Sequence, residues 1–316
     1  MSWKISLLAL ICGCVTSCKL DGTSVDVNAS ESGRYFNVDY LVEAETLIEL
    51  QSDPSIKVID FRKKESYDQG HISGAITMWR DAIEDTANPV GGIMASRAHM
   101  ELVFSKLGIQ NSDTVVVYDD RGSCDAARLW WVLANYDFHN VQILNGGLDA
   151  WKVAGGAVNK ETPQIKESNF SLPENNTMHY IAIKEEVLPT EVAEKGAVVI
   201  DARTWDEFTG KRQKKGAQSG GRIPGSIWLD WVDAMDFEKT KKFKTAAELE
   251  LLYRDLEKDQ PIIVYCHSGV RSAHTTFVLT QLLGYQNIRN YDGSWTEWSS
   301  ISGYPIEKDS VTTLFK

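Results

Sequence analysis

Short apolar runs separated by longer amphipathic stretches set the first expectations for this chain. Val58-Ile59, Val115-Val116-Val117, Val199-Ile200 and Ile262-Ile263-Val264-Tyr265 are apolar at consecutive positions, as expected of short buried strands. Leu41 to Gln51, Ser96 to Leu107, Ala246 to Leu256 and Ser272 to Leu283 carry helical spacing instead. Strands that alternate with helices pair in parallel through right-handed crossovers, so the pattern predicts an α/β fold of mostly parallel sheets flanked by helices.

The pattern also repeats. Val58-Ile59-Asp60-Phe61-Arg62 returns as Val199-Ile200-Asp201-Ala202-Arg203, and Gly70-His71-Ile72-Ser73-Gly74 returns as Gly221-Arg222-Ile223-Pro224-Gly225. Val115-Val116-Val117-Tyr118 returns as Ile262-Ile263-Val264-Tyr265, and Asn145-Gly146-Gly147-Leu148-Asp149-Ala150-Trp151 as Asp292-Gly293-Ser294-Trp295-Thr296-Glu297-Trp298. Matches in the same order mark an internal duplication. The second copy is longer because of an insertion, Lys211 to Gly220, rich in Lys, Gly and Gln. Two domains of about 125 residues follow, a usual domain size. We place them at 35–159 and 178–310, with a polar, proline-containing linker at 160–177.

The N-terminus has a different character. Lys4 precedes an apolar run, Ile5 to Ile11, too short to span a bilayer and followed by small residues, which is a secretory signal pattern. It ends in Val15-Thr16-Ser17-Cys18, which looks like a bacterial lipobox, with Cys18 receiving the lipid. Residues 1–18 then form the signal, and 19–34, rich in Asp, Ser, Asn and Gly, a flexible tether. The expected location is the bacterial cell envelope, on the periplasmic or surface side, with membrane attachment through acyl chains. The alternative is a plain cleaved signal peptide.

Composition narrows the function classes. The 316 residues are 43% hydrophobic and 24% charged, enough for real cores. A net charge of −11 argues against nucleic acid as the main partner. Only Cys124 and Cys266 of the five cysteines lie in the folded part, so disulfide-dense stabilisation is excluded; the two could pair, but a bridge would consume Cys266, and free thiols are expected. Six histidines without clustered Cys/His spacing show no metal site, and no cofactor is implied. The duplicated halves already pack together, so a monomer is expected.

The chemistry is expected at Cys266-His267-Ser268-Gly269-Val270-Arg271-Ser272. The cysteine ends a strand, and a short loop then opens a helix. Loop amides and the helix N-terminus supply positive potential there, which makes a thiolate nucleophile. The matching position in the first copy holds Asp119, so that half is expected to be catalytically silent and to serve packing or pocket formation. Cys124, five residues further on with no partner motif, reads as structural.

These motifs resemble the rhodanese superfamily, and more closely its tandem-domain thiosulfate and 3-mercaptopyruvate sulfurtransferases. The resemblance runs from Phe36 to about Ile306. It is carried by Tyr67-Asp68-Gln69-Gly70-His71-Ile72-Ser73-Gly74-Ala75 (with Ser73 where Pro is usual), Gly221-Arg222-Ile223-Pro224-Gly225, and Tyr291-Asp292-Gly293-Ser294-Trp295-Thr296-Glu297-Trp298. It implies a Cys266 persulfide that moves a sulfane sulfur from a small anionic donor, thiosulfate or 3-mercaptopyruvate, to cyanide, a small thiol or a thioredoxin-like protein. The donor is open. Ser268-Gly269-Val270 is similar to the mercaptopyruvate enzymes, His267 fits neither type, and Arg271 stands where Thr is usual. Arg203 and Arg222 are candidates for binding the donor's anionic group, the alternative being structural salt bridges. His267 is either partly charged near neutral pH or a plain solvated side chain.

Two other functions fit parts of the pattern. A cysteine phosphatase needs Cys-x5-Arg around phosphate, but Arg271 is the fifth residue after Cys266, one short. A non-enzymatic, surface-tethered binding module would not need Cys266.

Overall fold

The computed structural model describes residues 33–309. The signal, Cys18 and the tether to Ser32 lie outside the described residues. The first half runs β1 (Leu41–Val42), α1 (Ala44–Leu50), β2 (Ile56–Asp60), α2 (Lys64–Gln69), β3 (His71–Ile72), β4 (Ile76–Thr77), α3 (Arg97–Lys106), β5 (Thr114–Tyr118), α4 (Cys124–Asn135), β6 (Val141–Leu144), α5 (Gly147–Val153) and β7 (Val158–Asn159). The second half runs β8 (Ile181–Ala182), α6 (Pro189–Glu194), β9 (Val198–Asp201), α7 (Trp205–Phe208), β10 (Ile227–Trp228), α8 (Ala246–Leu252), β11 (Ile262–Tyr265), α9 (Val270–Phe277), β12 (Ile288–Tyr291) and α10 (Ser294–Trp298).

Each half builds one parallel five-stranded sheet, β1-β6-β5-β2-β4 in the first and β8-β12-β11-β9-β10 in the second. The orders correspond strand for strand, so the duplication in sequence is a duplication in topology. Several elements differ from the sequence expectation. Leu41 and Val42 are not helical but form an edge strand paired with Ile143 and Leu144. Helix α4, all of whose residues are buried, was not among the expected helices.

The repeated motifs turn out to be one hydrogen-bonded cluster in each half. In the second half, Asp201 accepts from Arg203 Nε at 2.8 Å and from the Tyr265 hydroxyl at 2.6 Å. Arg203 also donates to the Gly221 carbonyl at 2.7 Å, and the Tyr265 oxygen accepts from the Ile223 amide. Asp60, Arg62, Tyr118, Gly70 and Ile72 make the same set in the first half. The cluster ties the ends of the central strands to the Gly-x-Ile turn. It also corrects the expectation for Arg203, which is 1% exposed and committed to Asp201, with its guanidinium over the Trp295 ring. Arg222 is likewise structural. It pairs with Glu307 and Asp309 and clips the C-terminal segment to the domain. Neither arginine is placed to bind a donor.

Strand alternation divides the core into three layers. Val58, Val116 and Tyr118 face outward from the first sheet with Leu47 and Trp151; Val199, Ile263 and Tyr265 face outward from the second with Trp295 and Trp298. The inward residues of both sheets, including Ile59, Val115, Val117, Ile262 and Val264, belong to one shared core. Helices α4 and α9 lie in it, and all residues of both are buried. The Trp130 ring meets Phe277 edge-on at 4.9 Å and also contacts Tyr40 and Tyr180. The expected linker is partly tied down too: Phe170 and Leu172 are buried, and Phe170 packs on Phe104 and Phe138.

A shared core makes the halves one cooperative unit. Trp130→Ala should cost about 4 kcal/mol and lower the stability of both halves together. Denaturant unfolding followed by Trp fluorescence and by far-ultraviolet circular dichroism should give a single transition, shifted equally by both probes; two separated transitions would contradict the shared core.

Candidate active site

The period of two along β11 decides where Cys266 points. Ile262 and Val264 face the shared core, Ile263 and Tyr265 the outer layer, and Cys266 falls on the inner side, toward the other half of the molecule. It is 1% exposed. The chain then turns sharply. Gly269 takes a φ of +76°, and a Cβ there would stand 2.8 Å from the Asp292 carbonyl, so only glycine fits. Helix α9 starts at the next residue.

The loop is braced from several sides. The Ser294 hydroxyl oxygen accepts from the amides of Cys266 and Gly269, each at 3.1 Å, and donates to the Tyr291 carbonyl. Asn290 and Arg128 both donate to the Gly269 carbonyl. Arg128 belongs to α4, in the half without the nucleophile. Its buried guanidinium also pairs with Asp292 at 2.6 Å, and Asp292 in turn accepts from the Met94 amide. The Asp-Gly-Ser run after β12 is thus a support for the cysteine loop, a role the sequence motif alone did not disclose.

Burial by itself would raise the thiol pKa. The Arg271 guanidinium, the Ser272 hydroxyl and the amides of Ser272 and Ser268 outweigh it and bring the pKa of Cys266 below its ordinary value. Arg271 is held in a bidentate pair with Glu207 at 2.8 and 2.9 Å. Burial opposes ionisation of Glu207, but Arg271 and the Thr204 hydroxyl bring its pKa to about 2. Glu207 was not singled out from the sequence, because its partner lies 64 residues away.

The first half shows what this kind of loop binds. Asp119 occupies the equivalent turn, and its carboxylate accepts from four backbone amides: Arg121 and Ser123 on one oxygen, Asp125 and Ala126 on the other, at 2.7–2.9 Å. Burial and the neighbouring Asp125 still raise its pKa to about 6. Asp119 therefore fills with its own side chain an anion cradle that matches the loop around Cys266 in the second half.

Cys266 opens into a cavity of about 310 Å³ between the halves, lined by Arg80, Arg121, Cys124, Thr204, Glu207, Arg212, Lys214, Trp231, His267, Ser268, Val270 and Arg271. Five of these are cations. Arg80 and Arg121 come from the first half and are both paired with Asp125. Arg212 and Lys214 come from the insertion, and neither makes a salt bridge among the described residues. The insertion was visible in the sequence as a Lys-rich segment found only in the copy that has the cysteine, but its role was not. His267 Nε2 donates to the Lys215 carbonyl at 3.0 Å. Burial and Lys214 lower its pKa to about 4, so it is neutral at pH 7 and adds no charge for a donor. Cys124, expected to be structural, is a free thiol buried in the cavity wall.

The rhodanese-like domain family matches this chain twice, over residues 43–154 and 186–301. The thiosulfate sulfurtransferase of Corynebacterium glutamicum is 37% identical over 286 residues, covering 88% of this chain and 93% of that protein. The sulfur carrier protein TtuD of Thermus thermophilus is 33% identical over 285 residues, covering 87% and 98%. Among solved structures, SseA from Escherichia coli, described in terms of the rhodanese fold and 3-mercaptopyruvate sulfotransferases, superposes with a TM-score of 0.71 at 26% identity over 81% of this chain and 98% of that one. The duplicated parallel sheets and these relatives agree: the chain belongs to the rhodanese-like family and is a sulfurtransferase.

Proposed function

We propose that the chain transfers the outer sulfur of thiosulfate to cyanide or a thiol through a persulfide on Cys266. The observation that carries the choice of donor is the pair of unpaired cations, Arg212 and Lys214, in a cavity that already holds Arg271 beside the nucleophile. Thiosulfate is a small dianion, and its leaving group, sulfite, is also dianionic when it departs. A cationic cavity stabilises that charge as it develops.

The Cys266 thiolate attacks the outer sulfur of thiosulfate. A Cys266 Sγ–S bond forms, the S–S bond of thiosulfate breaks, and sulfite leaves with the bonding pair beside Arg212 and Lys214. The outer sulfur of the resulting persulfide projects into the cavity. An acceptor then attacks that sulfur, and the bonding pair returns to Cys266 Sγ, where Arg271 and the loop amides receive the charge. Glu207 fixes the Arg271 guanidinium in place. The acceptors that fit are cyanide, a small thiol or a thioredoxin-like protein, and the working unit is a monomer that does not bind nucleic acid.

We also propose that Cys18 carries a lipid that holds the domains at the bacterial cell envelope. The support is the Val15-Thr16-Ser17-Cys18 run after an apolar signal segment. Among the described residues no helix is long and apolar enough to cross a membrane, so attachment would rest on the acyl chains.

Steady-state assays with both donors test the first reading. kcat/KM should be higher for thiosulfate than for 3-mercaptopyruvate, and Cys266→Ala should abolish sulfur transfer from either. Arg212→Ala and Lys214→Ala should each raise KM for thiosulfate about tenfold, the loss of one charge-assisted contact. Preference for mercaptopyruvate, with both variants neutral, would overturn the donor assignment. Membrane sedimentation tests the second: wild-type protein should pellet with membranes and Cys18→Ala should stay in the supernatant, whereas equal partition of the two would refute lipid attachment.

A further inference from the structure

Transfer to an external acceptor leaves one nucleophile of the cavity unused. Cys124 is the first residue of α4, the helix that packs along α9 in the shared core, and it lines the same cavity as Cys266. These are the two free thiols among the described residues, and they come from opposite halves of the molecule. Arg271 lies within electrostatic reach of both. The outer sulfur of a Cys266 persulfide projects into the space that Cys124 borders.

The groups around Cys124 define its resting state. Burial raises its pKa well above the ordinary thiol value, and Asp125 and Asp119 raise it further against the opposing pull of Arg121. At neutral pH it is a protonated thiol, so it does not compete with Cys266 for the donor. A persulfide is a stronger acid than a thiol, and its outer sulfur is anionic beside these cations. Cys124 must pass its proton to that sulfur before it can attack; the transfer runs uphill from the weaker acid to the stronger one's conjugate base, and the pull of Arg121 and Arg271 on the Cys124 thiolate offsets part of its cost.

We propose that Cys124 is a second sulfur-carrying site, loaded from Cys266 inside the cavity. After the proton moves, Cys124 Sγ attacks the outer sulfur. A Cys124 Sγ–S bond forms and the Cys266 Sγ–S bond breaks, with its electron pair returning to Cys266 Sγ. The proton stays on the transferred sulfur. One sulfane sulfur has moved, and no oxidant or reductant is consumed. The direction follows from the leaving group: Cys266 departs as a thiolate into its cradle of amides and Arg271. Cys266 is then free to take a second sulfur from the donor, so one chain stores two.

The inference rests on the loading of Cys266 by thiosulfate. Full-length protein is incubated with excess thiosulfate without acceptor, quenched in acid to stop thiol exchange, alkylated, and mapped by peptide mass spectrometry. Sulfane sulfur is expected on both the Cys266 and Cys124 peptides. Cys266→Ala should remove both labels, and Cys124→Ala should keep the one on Cys266, which also shows that this variant folds. Thiocyanate released when cyanide is then added should be about double in wild type compared with Cys124→Ala. Sulfur on Cys266 alone would overturn the second site. So would sulfur on Cys124 in Cys266→Ala, which would mean direct loading, or a Cys124–Cys266 disulfide with release of hydrosulfide. No sulfur on Cys266 in wild type would instead contradict the donor reading, and the relay would fall with it.

Discussion

A buried guanidinium from the first half of this molecule holds the Cys266 loop of the second. Arg128 is inaccessible to solvent, stacked over Trp131, paired with Asp292, and donating to the carbonyls of Gly92 and Gly269. A buried charge without partners is costly, and breaking such a pair costs about 3–5 kcal/mol. The partners therefore cannot drift, and they are the residues that set the cysteine loop: Gly269 at its turn and Asp292 before the supporting Ser294. The first half, with Asp119 at the position that matches Cys266, supplies the clamp. This is a physical reason for keeping a second copy whose own anion cradle is filled by Asp119.

Under the proposed function, the same arrangement lets an acidic chain take up a small anion. Net charge acts at long range and is screened by salt, whereas the cavity is a local arrangement of cations in a partly desolvated space. Arg80 and Arg121 share the single carboxylate of Asp125, and Arg271 is paired with Glu207. Arg212 and Lys214 are left to meet a ligand. The insertion that carries them interrupts the second copy of the repeat and places charge over the nucleophile without disturbing the sheet order.

Much of the fold was legible because the chain repeats itself. Matching strand ends, Gly-x-Ile turns and Gly-rich helix starts predicted two α/β domains, and the contrast of Cys266 with Asp119 marked where chemistry is expected. What was hidden lies in contacts between distant segments. Arg222 finds Glu307 and Asp309, Arg271 finds Glu207, and Arg128 finds Asp292, none of them neighbours in sequence. Arg203 was the reverse case. Its partner Asp201 stood two residues away, and the structural alternative was open from the start. Cys124 borders the cavity because α4 packs against the other half, a contact between segments far apart in sequence.

All of this depends on Cys266 being a thiolate held in a cradle that the other half keeps in shape. Titration of the Cys266 thiolate by its ultraviolet absorbance, referenced to Cys266→Ala, tests it most directly. Wild-type protein should ionise below the ordinary thiol value of 9.0, and Arg128→Met, which frees Gly269 and Asp292 without touching the sulfur, should move the midpoint upward by about one pH unit. A wild-type midpoint at or above the ordinary value, or an Arg128→Met protein that folds and titrates like wild type, would contradict it.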